Sequence, residues 1–210
     1  EHILTTPYDI STATVNNTFR VNRGGDTQAT QVVFNNDGTK MFIVNHAGNK
    51  SVDEYLLSTA FDVSTATRVS EISIAGQEQR ANSIAFNNDG TRMIIAGAGN
   101  NTQHRIHEYS LSIGFDLSST VTHLNTEDLS STHNYIDGVT FNYDGTKMYT
   151  IEGIGDEVAG DKEISQFKLT TPYDVSTRSL EGTFDTSSVS ADSREVVFSN
   201  DGSKMFIIDD

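Results

Sequence analysis

The sequence predicts an all-β protein: a small four-bladed β-propeller, with four antiparallel strands per blade and a ring closed by N- and C-terminal strands sharing one blade. Three observations lead there. A nine-residue segment recurs four times. A five-residue segment recurs four times out of phase with it. No stretch of useful length carries a 3.6-residue apolar period.

The first segment, Phe34-Asn35-Asn36-Asp37-Gly38-Thr39-Lys40-Met41-Phe42, returns at residues 86–94, 141–149 and 198–206, at spacings of 52, 55 and 57 residues. The second reads Tyr8-Asp9-Ile10-Ser11-Thr12 and returns at residues 61–65, 115–119 and 173–177. Each repeat divides into four strands, here A to D. In the first complete repeat, residues 31–35 form a β-rich run, and Asp37-Gly38 is a strong hairpin signal. Residues 41–45 return as strand B, 52–58 follow as C, the Asp62 turn intervenes, and 68–74 close the unit as D. A four-stranded meander repeated at this period is a propeller blade.

The blades fall at residues 31–74, 82–126 and 137–185, with a closing blade from 1–21 and 194–210. Glu1 aligns with Glu54, inside strand C, and the sequence runs to Asp210, just past strand B of the last repeat. Pairing between the two ends would remove the open edge of the sheet. Residues 47–53, part of a hairpin loop, have no counterpart at that join. A monomeric ring is the expectation. The rivals are a piece of a larger array and two chains pairing into an eight-bladed ring.

Composition agrees with a turn-rich β protein. Apolar residues make up 35% of the 210, below the about 45–50% usual for globular chains. The net charge is −15, from 29 acidic and 14 basic residues, which disfavours nucleic acid and anionic membranes as partners. There are no cysteines, which excludes disulfides, Cys-based metal sites and thiol catalysis. No apolar run approaches the about 18 residues of a membrane-spanning helix, so membrane insertion is not expected.

The segment at residues 36–42 resembles the Asp-Gly-Thr-Lys strand pair of many bacterial propellers. The longer pattern Leu57-Ser58-Thr59-Ala60-Phe61-Asp62-Val63-Ser64-Thr65-Ala66 is similar to repeats of phage and marine viral tail or fibre proteins and of bacterial surface proteins. This resemblance implies an extracellular or virion-associated protein that attaches to a host surface. It specifies fold better than function, since propellers host binding, scaffolding and catalysis alike.

Topology says which face could work. Alternating strands put the A–B and C–D turns on one face, where both motifs repeat nearly unchanged, as a structural task demands. The other face carries the B–C loops (residues 46–51, 97–103 and 153–162) and the D–A connections (22–30, 75–81, 127–136 and 186–193), which differ from blade to blade. Divergence there suits a binding face; unconstrained drift explains it as well.

Strand A lines the channel, so the residues three and four before each repeated Phe should stand at its mouth. They are Thr30 and Gln31, Asn82 and Ser83, Asp137 and Gly138, and Arg194 and Glu195. Polar groups converging on an axis suit a small ligand or ion; a hydrated channel has the same lining. Glu195, Asp137, Asn82 and Glu152 or Asp209 are the candidate oxygen ligands for calcium, with Glu195 and Asp137 first. No local calcium-loop spacing is present, and no cofactor is otherwise implied.

His104 and His107 fall on opposite faces of a C strand and make poor partners for one metal. His46 in a B–C loop and His133 in a D–A connection read as solvated, either able to meet a ligand. Tyr135 has no aromatic counterpart in the other blades. It could stack a sugar or pack beneath its own loop. No hydrolase elbow, zinc-protease or phosphate-loop pattern appears.

The reading is therefore a non-enzymatic module that recognises a cell-surface carbohydrate or protein through its B–C and D–A loops. The candidate ligand-binding residues are Tyr135, Asn82, Asp137, Arg194, Gln31 and His46. A metal-dependent hydrolase or lactonase at the channel mouth is the alternative, and a structural spacer in a virion or surface protein is the third reading.

Overall fold

The computed structural model describes residues 1–7, 9–21, 28–99, 104–133, 135–152, 162–188 and 193–209. The strands are β1 (His2–Leu4), β2 (Ala13–Val15), β3 (Ala29–Phe34), β4 (Lys40–Asn45), β5 (Ser51–Leu57), β6 (Ala66–Ser73), β7 (Ala81–Phe86), β8 (Arg92–Gly97), β9 (Arg105–Leu111), β10 (Val121–Asp128), β11 (Gly138–Phe141), β12 (Lys147–Ile151), β13 (Glu163–Leu169), β14 (Arg178–Asp185), β15 (Ser193–Phe198) and β16 (Met205–Asp209). They form three four-stranded sheets, β3–β6, β7–β10 and β11–β14, and two two-stranded ones, β1–β2 and β15–β16. Every pairing is antiparallel between neighbours in sequence. The chain is all-β and propeller-like.

Both turn motifs work by short-range hydrogen bonds. In the first hairpin, Asp37 Oδ1 accepts from the Thr39 N–H at 3.0 Å, and Gly38 takes φ +71°. That backbone conformation is open to glycine at little cost. The second motif does the same: Asp62 Oδ1 accepts from Ser64 N–H at 3.0 Å, and the Asp9, Asp116 and Asp174 turns repeat the bond. The two turns lock together. The Phe61 N–H donates to Gly38 O at 2.8 Å, and the Phe61 ring covers the glycine so closely that an added Cβ would lie 2.3 Å from it. Phe115 covers Gly90 and Tyr173 covers Gly145 in the same way.

Alternating side chains give each sheet two apolar faces, and successive sheets bury them against each other. Phe42 and Val44 of β4 pack with Met93 and Ile95 of β8. Ile94 and Ala96, on the opposite face of β8, pack with Met148 of β12. Ile151 of β12 meets Val196 of β15 and Ile207 of β16. Each fully buried Val, Ile, Phe or Met among them contributes roughly 1.5–3 kcal/mol.

The expected closing blade is not formed as one sheet. β1–β2 stands against the first four-stranded sheet, where Asn17 Nδ2 donates to Asp62 Oδ1 at 2.9 Å and Phe19 packs edge-on to Tyr55. β15–β16 stands against the third. No strand pairing joins the two among the described residues. By analogy with the β4–β5 register, His2 would stand opposite Met205 if the two joined.

Candidate functional site

The inner strands β3, β7, β11 and β15 line one cavity of about 840 Å³. Their upper ends share an irregularity that aims side chains into it. Ala29 pairs with Asn45 and Gln31 with Val44, so Thr30 is an extra residue in its strand. Asn82 and Arg194 are extra residues in the same way. Asp137, just before β11, holds the matching place, its N–H bonded to Ile151 O at 3.0 Å. A bulge breaks the alternation and re-aims the side chain it carries.

These four residues reach sideways. Thr30 Oγ1 donates to Ala81 O in β7 at 3.1 Å, and Asn82 Nδ2 donates to Ile136 O, just before β11, at 2.9 Å. Arg194 Nη1 lies 3.4 Å from Asp137 Oδ1, pairing the cation with a buried carboxylate.

A second layer forms a belt just below. Gln31 Nε2 donates to Glu195 Oε2, and Gln31 Oε1 accepts from Ser83 Oγ at 3.1 Å. Ser83 Oγ in turn accepts from the Val139 N–H at 3.0 Å. Gly138 completes the circuit: a Cβ there would sit 3.1 Å from both Arg194 O and Glu195 Oε1, so only a glycine lets β11 approach β15 this closely. The side chain of Gln31 thus ties the first inner strand to the last. Burial raises the Glu195 carboxyl to about 7, against hydrogen bonds from Val196 N–H and Gln31, and the charge of Asp137 adds to the rise. Near neutral pH this group can hold or release a proton.

The rim comes from the variable loops. His46 and Tyr135 line the cavity, and so does Arg80, which the sequence reading passed over. The Arg80 guanidinium lies 5.7 Å from the centroid of the Tyr135 ring. Tyr135 is half-buried rather than a free-standing platform, because Arg80 and His104 flank its ring. Arg80 is placed by Glu78, also passed over. The fully buried Glu78 carboxylate accepts from Arg80 N–H at 2.7 Å and Gly99 N–H at 2.8 Å, fastening a D–A connection to a B–C loop. The signal for both was a charged pair flanking one residue in a connection otherwise lacking charge.

Thus Gln31, Asn82, Asp137, Arg194, His46 and Tyr135 border one cavity. Other expectations fail. His133 is not solvated: it is buried, with Nε2 2.8 Å from Thr150 Oγ1 and its ring stacked on Phe167. Burial, helped by the nearby His104, lowers its pKa to about 4. Of the candidate calcium ligands, Glu195, Asp137 and Asn82 share the cavity, whereas Glu152 is buried 3.9 Å from His133. Among the described residues no three His, Asp or Glu side chains are grouped to hold a metal ion. The side chain of Asp209, Tyr8, and loop residues 22–27, 100–103, 153–161 and 189–192 lie outside the described residues.

No protein-family model matches the chain, and no curated protein sequence does. Solved structures do. A candidate 6-phosphogluconolactonase from Bacteroides uniformis superposes with a TM-score of 0.59 at 12% identity, over 99% of this chain and 56% of its own. A candidate 6-phosphogluconolactonase from Bacteroides fragilis gives 0.53 at 11%, over 87% and 48%. Sqt1 from Chaetomium thermophilum, in a structure bound to the N-terminus of ribosomal protein L10, gives 0.52 at 12%, over 89% and 44%. These likenesses support the propeller-like fold. The chain spans about half the length of the proteins it matches. Among the described residues no helix is long and apolar enough to cross a membrane.

Proposed function

We propose that the chain is a recognition module, a four-bladed ring closed by its own ends, that binds a segment of a partner protein at the mouth of its channel. One observation carries this reading. Polar side chains from all four inner strands, with Arg80, Tyr135 and His46 from the loops, converge on one open cavity. Asp137 and Arg194 stand side by side as a carboxylate and a guanidinium, and Asn82 lines the cavity beside them. Such a lining orients a polar chain or terminus by hydrogen bonds. The likeness to Sqt1, bound to the N-terminus of another protein, favours a peptide over a glycan as occupant.

The test is a peptide array and a glycan array probed in parallel with the 210-residue chain. A peptide hit that Asp137→Asn or Tyr135→Ala weakens about tenfold, and that Asp62→Asn leaves alone, supports the reading. A glycan hit with the same sensitivity would move the partner class to carbohydrate. Hits insensitive to both mouth variants would exclude the mouth.

A second reading, a hydrolase, has one specific support. Glu195 titrates near neutrality beside Asp137 in an open cavity, and two structural neighbours are described as candidate lactonases. A carboxylate poised near the working pH suits a general base that takes a proton from attacking water. Turnover of 6-phosphogluconolactone, abolished by Glu195→Gln, would establish this activity; turnover indistinguishable from buffer would remove it.

A further inference from the structure

Two connections close on the same turn and put different chemistry at the same place in it. Between β6 and β7, the Gln77 and Glu78 N–H groups both donate to Ile74 O, at 3.0 and 2.8 Å. Between β10 and β11, the Thr132 and His133 N–H groups both donate to Leu129 O, at 2.9 and 2.8 Å. Glu78 and His133 therefore hold equivalent positions, and both are buried. Two residues on from each stands a rim residue, Arg80 and Tyr135. These two pack on each other, with the guanidinium 5.7 Å from the ring centroid. The rim contact thus hangs on one buried carboxylate and one buried imidazole.

The two anchors answer acid differently. Burial pushes the Glu78 carboxyl up, but His107 and the Arg80 and Gly99 N–H groups outweigh it and hold the group below its ordinary 4.5. Its charge, and with it the hold on Arg80, persists in mild acid.

His133 is seated as a neutral ring. Its Nε2 lies 2.8 Å from Thr150 Oγ1 in β12, and its Nδ1 lies 2.9 Å from Thr132 Oγ1. One nitrogen donates, the other accepts, and a hydroxyl serves either, so both bonds are met without charge. Phe167 of β13 stacks on the ring, centroids 6.0 Å apart. Glu152, just past β12, faces it with Oε1 3.9 Å from Nδ1, beyond hydrogen-bond reach. His104, just before β9 and 6.3 Å from the Tyr135 ring, faces it too and opposes a positive charge there. His104 is itself held below 6.5 by burial, against the charges of Asp128 and Glu78.

We propose that the β10–β11 connection is an acid-released gate on the mouth: protonating His133 frees the turn from its seat, Tyr135 leaves Arg80, and the site lets go of its ligand while the Glu78 connection stays in place. This inference rests on the mouth being the binding site proposed above and adds its regulation; the gate itself needs no ligand. The folded ring takes its proton less readily than an ordinary histidine at 6.5, so the hold is complete above pH 6.5 and is lost as pH falls toward 4. At pH 5.5 an ordinary ring is about nine-tenths protonated and the seated one hardly at all, which multiplies the opened population roughly tenfold over its value at pH 8.

Hydrogen exchange of the 210-residue chain reads the gate directly, followed by mass spectrometry from pH 8 to 5 and corrected for the intrinsic pH dependence of exchange. Protection of residues 129–137 should fall about tenfold between pH 8 and 5.5, while residues 75–81 keep theirs. In His133→Gln, which keeps a hydrogen-bonding side chain but takes no proton, the pH dependence should disappear from residues 129–137. Thr150→Val leaves the imidazole without one partner; it should raise exchange at every pH and keep the acid dependence. The strongest peptide of the array described above should bind about tenfold more weakly at pH 5.5 than at pH 8 in the parent and not in His133→Gln. A flat exchange profile in the parent, an equal loss in both segments, or an acid dependence that survives His133→Gln overturns the gate. The expected exchange in a chain that binds no peptide removes the binding reading and leaves the gate standing.

Discussion

Two side chains with opposite environments dominate how single residues respond to pH. Burial raises Glu195 to about 7, so its folded-state pKa exceeds the ordinary value of 4.5. The stability it contributes is complete below pH 4.5 and is lost as pH rises through 7. The full swing is on the order of 2–3 kcal/mol. His133 runs the other way. Its pKa falls from 6.5 to about 4, so the neutral ring is favoured, and stability present above pH 6.5 is lost as pH falls toward 4. Between pH 4.5 and 6.5 the two slopes oppose each other. Glu195→Gln removes one of them. Urea unfolding of this variant should show stability rising from pH 4.5 to 6.5 and exceeding the parent by about 2 kcal/mol at pH 8. An unchanged pH profile would mean that water reaches Glu195 freely. In His133→Phe the loss below pH 6.5 should shrink, although Thr150 and Thr132 lose their partner. Neither behaviour was legible in sequence. Glu195 could be placed at the mouth by its distance from Phe198, but its burial depends on Gly138 across the belt. His133 read as a loop residue because nothing local announces that Phe167 lies under its ring.

The turn is the element on which each blade depends, and it was the most legible part of the chain. Asp-Gly fixes the A–B hairpin through one carboxylate and one positive φ, both local demands that sequence spells out. What sequence could not supply was the contact between turns, because the aromatic that covers Gly90 lies 25 residues away. Gly90→Ala tests both layers. Its φ of +72° penalises any side chain, and the new Cβ would lie 2.2 Å from the Phe115 ring. The variant should lose about 2–4 kcal/mol in denaturant unfolding. Gly182→Ala is the control, with nothing within 4 Å of its Cβ, and should stay within about 0.5 kcal/mol of the parent. Equal losses at the two sites would mean that the turns are not locked together. The bulges at Thr30, Asn82 and Arg194 escaped the sequence reading, since an extra residue in a strand shows only when its partner's register is known. Six of the eight residues picked by counting back from each Phe line the cavity all the same, because the repeat carries the bulge with it.

At the scale of the molecule, the sequence reading and the structure part company at the seam. The repeat count located the two half-blades, but whether they join into one sheet is a matter of energy and not of pattern. Net charge acts on the same balance. The chain carries −15, and several of its few cations are already committed to neighbours: Lys40 to Glu54, Arg68 to Asp53, Arg92 to Glu108, Arg178 to Glu127. The remaining carboxylates repel one another across the surface, which disfavours the compact state. Salt shortens the reach of that repulsion from roughly 30 Å at 0.01 M to about 3 Å at 1 M. It weakens the ion pairs less, because Glu54 and Glu108 are only 2% and 1% exposed. Added NaCl should therefore stabilise the protein. A gain on the order of 1 kcal/mol corresponds to a Tm rise of about 2–4 °C for a chain of this size. Calorimetry at pH 7 across that salt range decides the matter. A rising Tm means that repulsion among the surplus carboxylates outweighs the exposed ion pairs. A falling Tm means that the exposed pairs, such as Lys147 with Glu181, outweigh the surplus of negative charge.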